Sequence, residues 1–123
     1  MSRLLPRLAE EEYGFATIPM GRNWPDGLVP LATFAEDEGA SIIATVAAFE
    51  AAGIECRNGW ARISLGLNSE LEGVGLTALM ATGLAKAGIS CNVVAAYHHD
   101  HLFVPWERRQ EAMQILDEME FGS

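Results

Sequence analysis

The chain has 123 residues, half of them hydrophobic and a fifth charged, and 8 Lys and Arg against 17 Asp and Glu leave a net charge of −9. This length fits one ordinary domain or two very small ones, with about two-thirds of the unfolded surface buried. So apolar a chain is not disordered, and its scattered bases exclude a duplex-binding surface, which needs clustered Lys and Arg. The acid excess is shared: residues 1–60 hold 9 acids and 4 bases, and residues 61–123 hold 8 and 4. No uncharged apolar run reaches the roughly 18–20 residues of a membrane span; the longest, Gly73 to Ala85, ends at Lys86. Met1 to Pro6 soon meets Glu10-Glu11-Glu12, unlike a signal peptide. Cys56 and Cys91 make no disulfide framework, so a reducing, cytoplasmic setting is expected.

Residues 3–12 predict a short amphipathic helix or arm with Leu4, Leu5 and Leu8 on one side. Tyr13 to Ile18, aromatic and β-branched and stopped by Pro19, predicts a strand. Gly21 to Pro30 holds two Gly and two Pro and predicts a loop. Leu31 to Ala35 predicts a short strand, Glu36 to Gly39 an acidic turn, and Ser41 to Thr45 a third strand. Val46 to Ala52 reads as a helix stopped by Gly53. Ile54 to Cys56 predicts a short strand and Asn58-Gly59 a turn.

Trp60 to Leu67 alternates, with Ile63, Leu65 and Leu67 on one face of a half-buried strand. Ser69-Glu70-Leu71-Glu72 matches the capping box. From it a helix is expected to run to Ala87, with Lys86 in its last turn and Gly88 as the stop. Cys91 to Tyr97 and His101 to Val104 predict strands around a polar turn at His98 to Asp100. Trp106 to about Met119 predicts an amphipathic helix, because Ala112, Met113, Leu116 and Met119 recur at helical spacing.

The second half thus reads β-α-β-β-α, and the first half repeats that order with its first helix replaced by a loop. Two such units predict a pair of ferredoxin-like modules of the α+β class, residues 1–59 and 60–123, each an antiparallel sheet with helices on one face. The second unit shows no closing strand before Ser123, so its sheet edge needs a strand from the first half or from another subunit. The helix over Gly73 to Ala87 carries Lys86 as its one charge, which predicts burial on both faces. Gly75, Ala78, Gly83 and Ala87 would let a neighbour, from this chain or a partner, come close.

Three motifs could carry chemistry. Gly73-Val74-Gly75-Leu76-Thr77-Ala78 fits G-x-G-x-x-A. As a dinucleotide site it fails: five residues separate it from the strand, and Glu70 and Glu72 would repel a pyrophosphate. The helix start does suit a zwitterion, since amides around Asn68 to Leu71 can hold a carboxylate and nearby acids an ammonium; the simpler reading is a helix cap. His98-His99-Asp100-His101 is the densest polar cluster. Extended, His99 and His101 point one way and His98 and Asp100 the other, and no third zinc donor is evident. A structural turn, a ligand contact and a metal site all stay open for it. A Ser69, His99, Asp100 triad is disfavoured, because adjacent His and Asp diverge and no G-x-S-x-G elbow exists.

Several strings carry a resemblance. They are Arg62-Ile63-Ser64-Leu65, Asn68-Ser69 with Leu71-Glu72 and Val74 to Ala78, Ala87 to Ser90 with Asn92 to Ala95, and His99 to Pro105. Together they resemble the C-terminal module of a bacterial family of small tandem ACT-domain proteins. Phe15-Ala16-Thr17 and Leu31 to Phe34 with Glu36, Glu38 and Gly39 are similar to its N-terminal module. The similarity spans about residues 13–119. His98, where an aromatic is more usual, and Gly66, in the strand before the loop, depart from the pattern.

The resemblance implies βαββαβ regulatory units that pair side by side, as at the end of aspartate kinases. It also implies an amino-acid ligand near the loop Leu67 to Gly75, bordered by Asn92 and the His99 to His101 turn. The expectation is therefore a non-catalytic sensor and homodimer. Its small-molecule contacts would be Asn68, Ser69, Glu70, Leu71, Glu72, Val74, Gly75, Asn92, His99, Asp100 and His101. No cofactor, metal, nucleic acid or membrane is expected to take part. The alternatives are a small metal-assisted enzyme built on His98 to His101 and a ligand-free adaptor dimer.

Overall fold

A computed structural model of the chain describes residues 2–66 and 75–121, with the side chains of residues 2 and 121 left aside. The first elements are β1 (Ser2–Arg3), β2 (Pro6–Pro19), β3 (Ala32–Glu36), β4 (Gly39–Thr45), α1 (Val46–Ala52) and β5 (Arg57–Leu65). They are followed by α2 (Leu76–Lys86), β6 (Asn92–Ala95), β7 (Asp100–Pro105), a 3-10 turn (Trp106–Arg108), α3 (Arg109–Glu118) and β8 (Glu120–Phe121). Two compact units emerge: residues 11–60, and residues 1–10 with 61–123.

In the unit 11–60 the strand order is β3-β4-β2-β5. β4 lies antiparallel to β2 from Tyr13 opposite Thr45 to Pro19 opposite Gly39, and to β3 from Ala32 opposite Ile43 to Glu36 opposite Gly39. Thr45 ends β4 and starts α1: its backbone stays extended while its Oγ1 accepts the Ala48 N–H at 3.2 Å. Gly53, at φ +70, ends the helix, and the Ile54 N–H reaches back to the Phe49 carbonyl at 3.0 Å. The helix thereby presses Phe49 into a cluster with Ile18, Leu28, Ile42 and Ala44.

In the other unit the order is β2-β5-β7-β6. β6 and β7 form an antiparallel hairpin, with Asn92 opposite Phe103 and Ala95 opposite Asp100. Alternation along β5 and β7 sends Ala61, Ile63, Leu65, Leu102 and Val104 inward, where they meet Met80 and Leu84 of α2 and Ala112 and Leu116 of α3. A Cβ at Gly83 of α2 would meet the methyl end of Met119, the residue just beyond α3. The Arg108 guanidinium donates to the Ala87 carbonyl at 2.9 Å, covering a loose end of α2. This is the antiparallel, ferredoxin-like α+β fold expected for the two halves.

The open edge expected beside β5 is closed from within the chain, because β2 takes that place. Residues 3–12 are therefore strand for most of their length, not a helix or arm. Leu4 is fully buried in the second unit's core and Leu8 packs on it, so tertiary pairing overrides the weak strand preference of the Glu10 to Glu12 run. β1 pairs with β8, and the Arg3 guanidinium donates to Glu120 at 2.9 Å and to the Asp117 carbonyl at 3.1 Å.

Four further expectations change. Ile54 to Cys56 is not a strand, and Asn58-Gly59 is not a terminating turn: β5 begins at Arg57 and runs through both, with Gly59 at φ +92 donating its N–H to Glu12 Oε2 at 2.7 Å. α2 starts at Leu76 with Gly75 as its N-cap, so the helix opens later than the Ser69 to Glu72 box suggested; that box lies outside the described residues. Burial of α2 within the chain is one-sided: Met80 and Leu84 face the core, while Ala78, Leu79, Ala81 and Ala85 are exposed.

Candidate functional site

Of the sequence-predicted contacts, Gly75, Asn92, His99, Asp100 and His101 fall within the described residues, whereas Asn68, Ser69, Glu70, Leu71, Glu72 and Val74 lie outside them. The hairpin of β6 and β7 gathers His99, Asp100 and His101 at its turn, which the Ala96 N–H closes on the His99 carbonyl at 3.1 Å. Asn92 stands exposed at the opposite end of β6, about 10 Å away at the usual strand rise. Gly75 holds φ +91 at the head of α2, a conformation that glycine adopts without cost.

The polar cluster divides by orientation. Asp100 is buried, at 8 % exposure. His101 turns to β5, where Ser64 Oγ and its Nδ1 lie 2.7 Å apart. His98 is exposed and sets its ring edge-on to Tyr97, with centroids 4.9 Å apart. Among the described residues no three His, Cys, Asp or Glu side chains are placed to hold a metal ion.

The surroundings of His101 disfavour its charged form. Burial lowers its pKa from the ordinary 6.5, Arg62 and the neighbouring His99 lower it further, and Asp100 opposes them. Ser64 Oγ and His101 Nδ1 share a hydrogen bond in which the imidazole tautomer sets which of them donates. Arg62 and Ser64 were missed as site residues. Their signal was the same alternation that turns Ile63 and Leu65 inward, because it puts 62 and 64 together on the other face of β5. Their meeting with His101 needed the position of β7 beside β5.

Gly66, the residue at odds with the expected pattern, has a steric reason. Its N–H donates to the Leu5 carbonyl at 2.7 Å, and a Cβ at 66 would sit 2.7 Å from that same oxygen. Leu5 itself lies at φ +53, in the left-handed region.

The unit 11–60 carries an open cleft of about 600 Å³ lined by Phe15, Thr17, Ser41, Glu55, Cys56 and Arg57, among others. Glu36 and Glu38 also line it, and the Ser41 hydroxyl donates to the Glu36 carboxylate. The Phe15 ring is braced edge-on against Trp60 at 5.8 Å. These residues come from four separate stretches of the chain, and so no local motif announced them. The thiols are not primed for attack. Burial raises the Cys56 pKa, helped by Glu50 and Glu12, and pushes Cys91 up to about 11.

Comparison with known proteins puts the fold in context. One ACT-domain family model matches residues 1–59 and another matches residues 55–118. A crystal structure of a Vibrio cholerae protein of unknown function, described as a possible transport protein, is 39 % identical. It superposes with a TM-score of 0.84 over 96 % of this chain and 91 % of its own. An Agrobacterium tumefaciens protein is 19 % identical, with a TM-score of 0.76 over 94 % of this chain and 88 % of its own. The regulatory subunit of aspartate kinase from Thermus thermophilus, in a ligand-free form, shares 12 % identity and a TM-score of 0.64 over 94 % of this chain and 97 % of its own. No curated protein matches the sequence significantly. No helix among the described residues is long and apolar enough to cross a membrane.

Proposed function

Because the chain belongs to the ACT-domain family, we propose that it is a non-catalytic cytoplasmic sensor that binds a small amino acid and works as a homodimer. ACT domains are typically regulatory ligand-binding modules, and the observation that carries the reading is that two of them account for residues 1–118. The ligand loop in this reading is Asn68, Ser69, Glu70, Leu71, Glu72, Val74 and Gly75, with Asn92, His99, Asp100 and His101 at its border. Its chemistry is that of a zwitterion site: backbone amides for the carboxylate, and Glu70, Glu72 or Asp100 for the ammonium. What supports it in the described residues is the meeting of β5 and β7. His101 is hydrogen-bonded to Ser64 beside a buried Asp100, and burial lowers its pKa.

Thermal denaturation and calorimetry with each common amino acid test the reading. A ligand at about 100 times its dissociation constant should stabilise the fold by about 2.7 kcal/mol. The increment should disappear in Glu70→Gln with Glu72→Gln. No shift with any of them refutes the sensor.

A further inference from the structure

The cleft of the unit 11–60 shares no residue with the loop Asn68 to Gly75 and carries charges of both signs. The register sets Thr17 of β2 opposite Ser41 of β4. Because Ile18, Ile42 and Ala44 pack with Phe49 of α1, strand alternation puts Phe15, Thr17 and Ser41 together on the face turned away from that helix. Phe15 supplies an apolar wall braced by Trp60, and Thr17 and Ser41 supply hydroxyls.

The charges stand on two banks. Glu36 ends β3 and Glu38 lies in the turn to β4, whereas Glu55 precedes β5 and Arg57 opens it, with β2 between β4 and β5. Two to three strand intervals separate the banks, about 10–14 Å between backbones. The Ser41 hydroxyl holds the Glu36 carboxylate on its own bank. Arg57 is exposed and makes no ion pair among the described residues, although three carboxylates line the same cleft. A guanidinium on one bank and carboxylates on the other, too far apart to pair, suit a ligand that brings the opposite signs at its two ends.

We propose that this cleft is a second binding site, for a zwitterion whose charges lie several bonds apart, as in a short peptide or an ω-amino acid. Arg57 takes the carboxylate through its forked N–H donors, Glu38 with Glu36 takes the ammonium, and the stem lies along Phe15. An α-amino acid, with both charges on one carbon, reaches one bank alone. The charge pairs are exposed to solvent and individually weak, so the affinity is about millimolar. The site lies outside the loop Asn68 to Gly75 and stands or falls independently of the sensor reading.

Titration of the full, isotope-labelled chain with dialanine and with δ-aminovalerate to about 30 mM, followed by amide NMR, tests it. Saturable shifts should appear at Thr17, Ser41 and Arg57. Dialanine saturates first where the site reads a peptide, and aminovalerate first where it reads the charges alone. Alanine and diaminobutane should bind about tenfold more weakly or worse. Arg57→Gln and Glu38→Gln should each weaken binding about threefold to tenfold and leave the rest of the spectrum unchanged, whereas Glu55→Gln, which removes a carboxylate from the Arg57 bank, should strengthen it. No saturable shift with either probe, or binding indifferent to Arg57→Gln, overturns the site. Alanine binding as tightly as the longer probes overturns the span across the cleft, and diaminobutane binding more tightly than both overturns the carboxylate end. Shifts confined to residues 67–75 overturn the cleft site and leave the sensor reading standing.

Discussion

Replacing Gly66 by Ala probes the joint between the N-terminal strand and the end of β5. The new Cβ would stand 2.7 Å from the Leu5 carbonyl oxygen and 3.0 Å from the Leu5 Cβ. A carbon–oxygen contact relaxes near about 3.3 Å, so the two segments must part by about 0.6 Å. They cannot do so freely, because the Gly66 N–H bond to the same oxygen is 2.7 Å long. Overpacking of this kind costs about 1–3 kcal/mol and a weakened hydrogen bond up to about 1 kcal/mol more. Alanine narrows the unfolded ensemble, which returns about 0.4–1 kcal/mol. The expected net loss is about 1–3 kcal/mol. Urea denaturation should show it as a midpoint lower by about 1 M at unchanged slope, for a slope near 2 kcal/mol/M. The companion variant Leu5→Gly should cost little: it relieves a left-handed residue, worth about 1–2 kcal/mol, against a glycine penalty of about 0.5–1 kcal/mol. In that background Gly66→Ala should keep most of its cost, since the nearest atom is backbone. A loss below about 0.5 kcal/mol for Gly66→Ala refutes the steric account.

Other consequences are open to measurement. His101 has a lowered pKa when folded, so the unfolded chain binds the extra proton first; stability should fall as pH drops below about 6.5 and level off beneath the folded pKa. His101→Gln should remove that part of the pH dependence, and an unchanged melting profile from pH 8 to pH 5, about the range over which His titrates, would contradict the burial argument. Thr45→Ala removes the cap of α1 and should cost about 1 kcal/mol by denaturation. Leu84→Ala, at a fully buried site, should cost about 2–5 kcal/mol, while Leu79→Ala on the exposed face should stay within about 0.5 kcal/mol. Cys91, with its thiol pushed up to about 11, should label slowly with a disulfide reagent at neutral pH until the protein is unfolded.

How much was legible beforehand varied with the range of the forces involved. α1 was readable to the residue, since its limits are local: a threonine hydroxyl on the Ala48 amide and a left-handed glycine at 53. The hairpin of β6 and β7 and the helix over residues 109–118 were readable for the same reason, through turn chemistry and helical spacing. The strand from Pro6 was not. Three consecutive glutamates hide it, and its place is beside β5, some fifty residues away in sequence. Half of the candidate site behaves likewise. The His99 to His101 turn stood out as a local cluster, but the division of its members, Asp100 buried, His101 bonded to Ser64 and His98 outside, follows from which strand β7 adjoins.

The amino-acid sequence alone thus determined what periodicity and capping can encode. These are the limits of α1, the hairpin of β6 and β7, the inward faces of β5 and α3, and the α+β class. Only the tertiary structure decided which strand closes the second sheet, why residue 66 is glycine, and how His101 comes to lie against Ser64. The physical reason is the same in each case. Backbone hydrogen bonds and steric contacts between distant segments depend on how strands are ordered in the sheet, and neither propensity nor spacing along one segment carries that information.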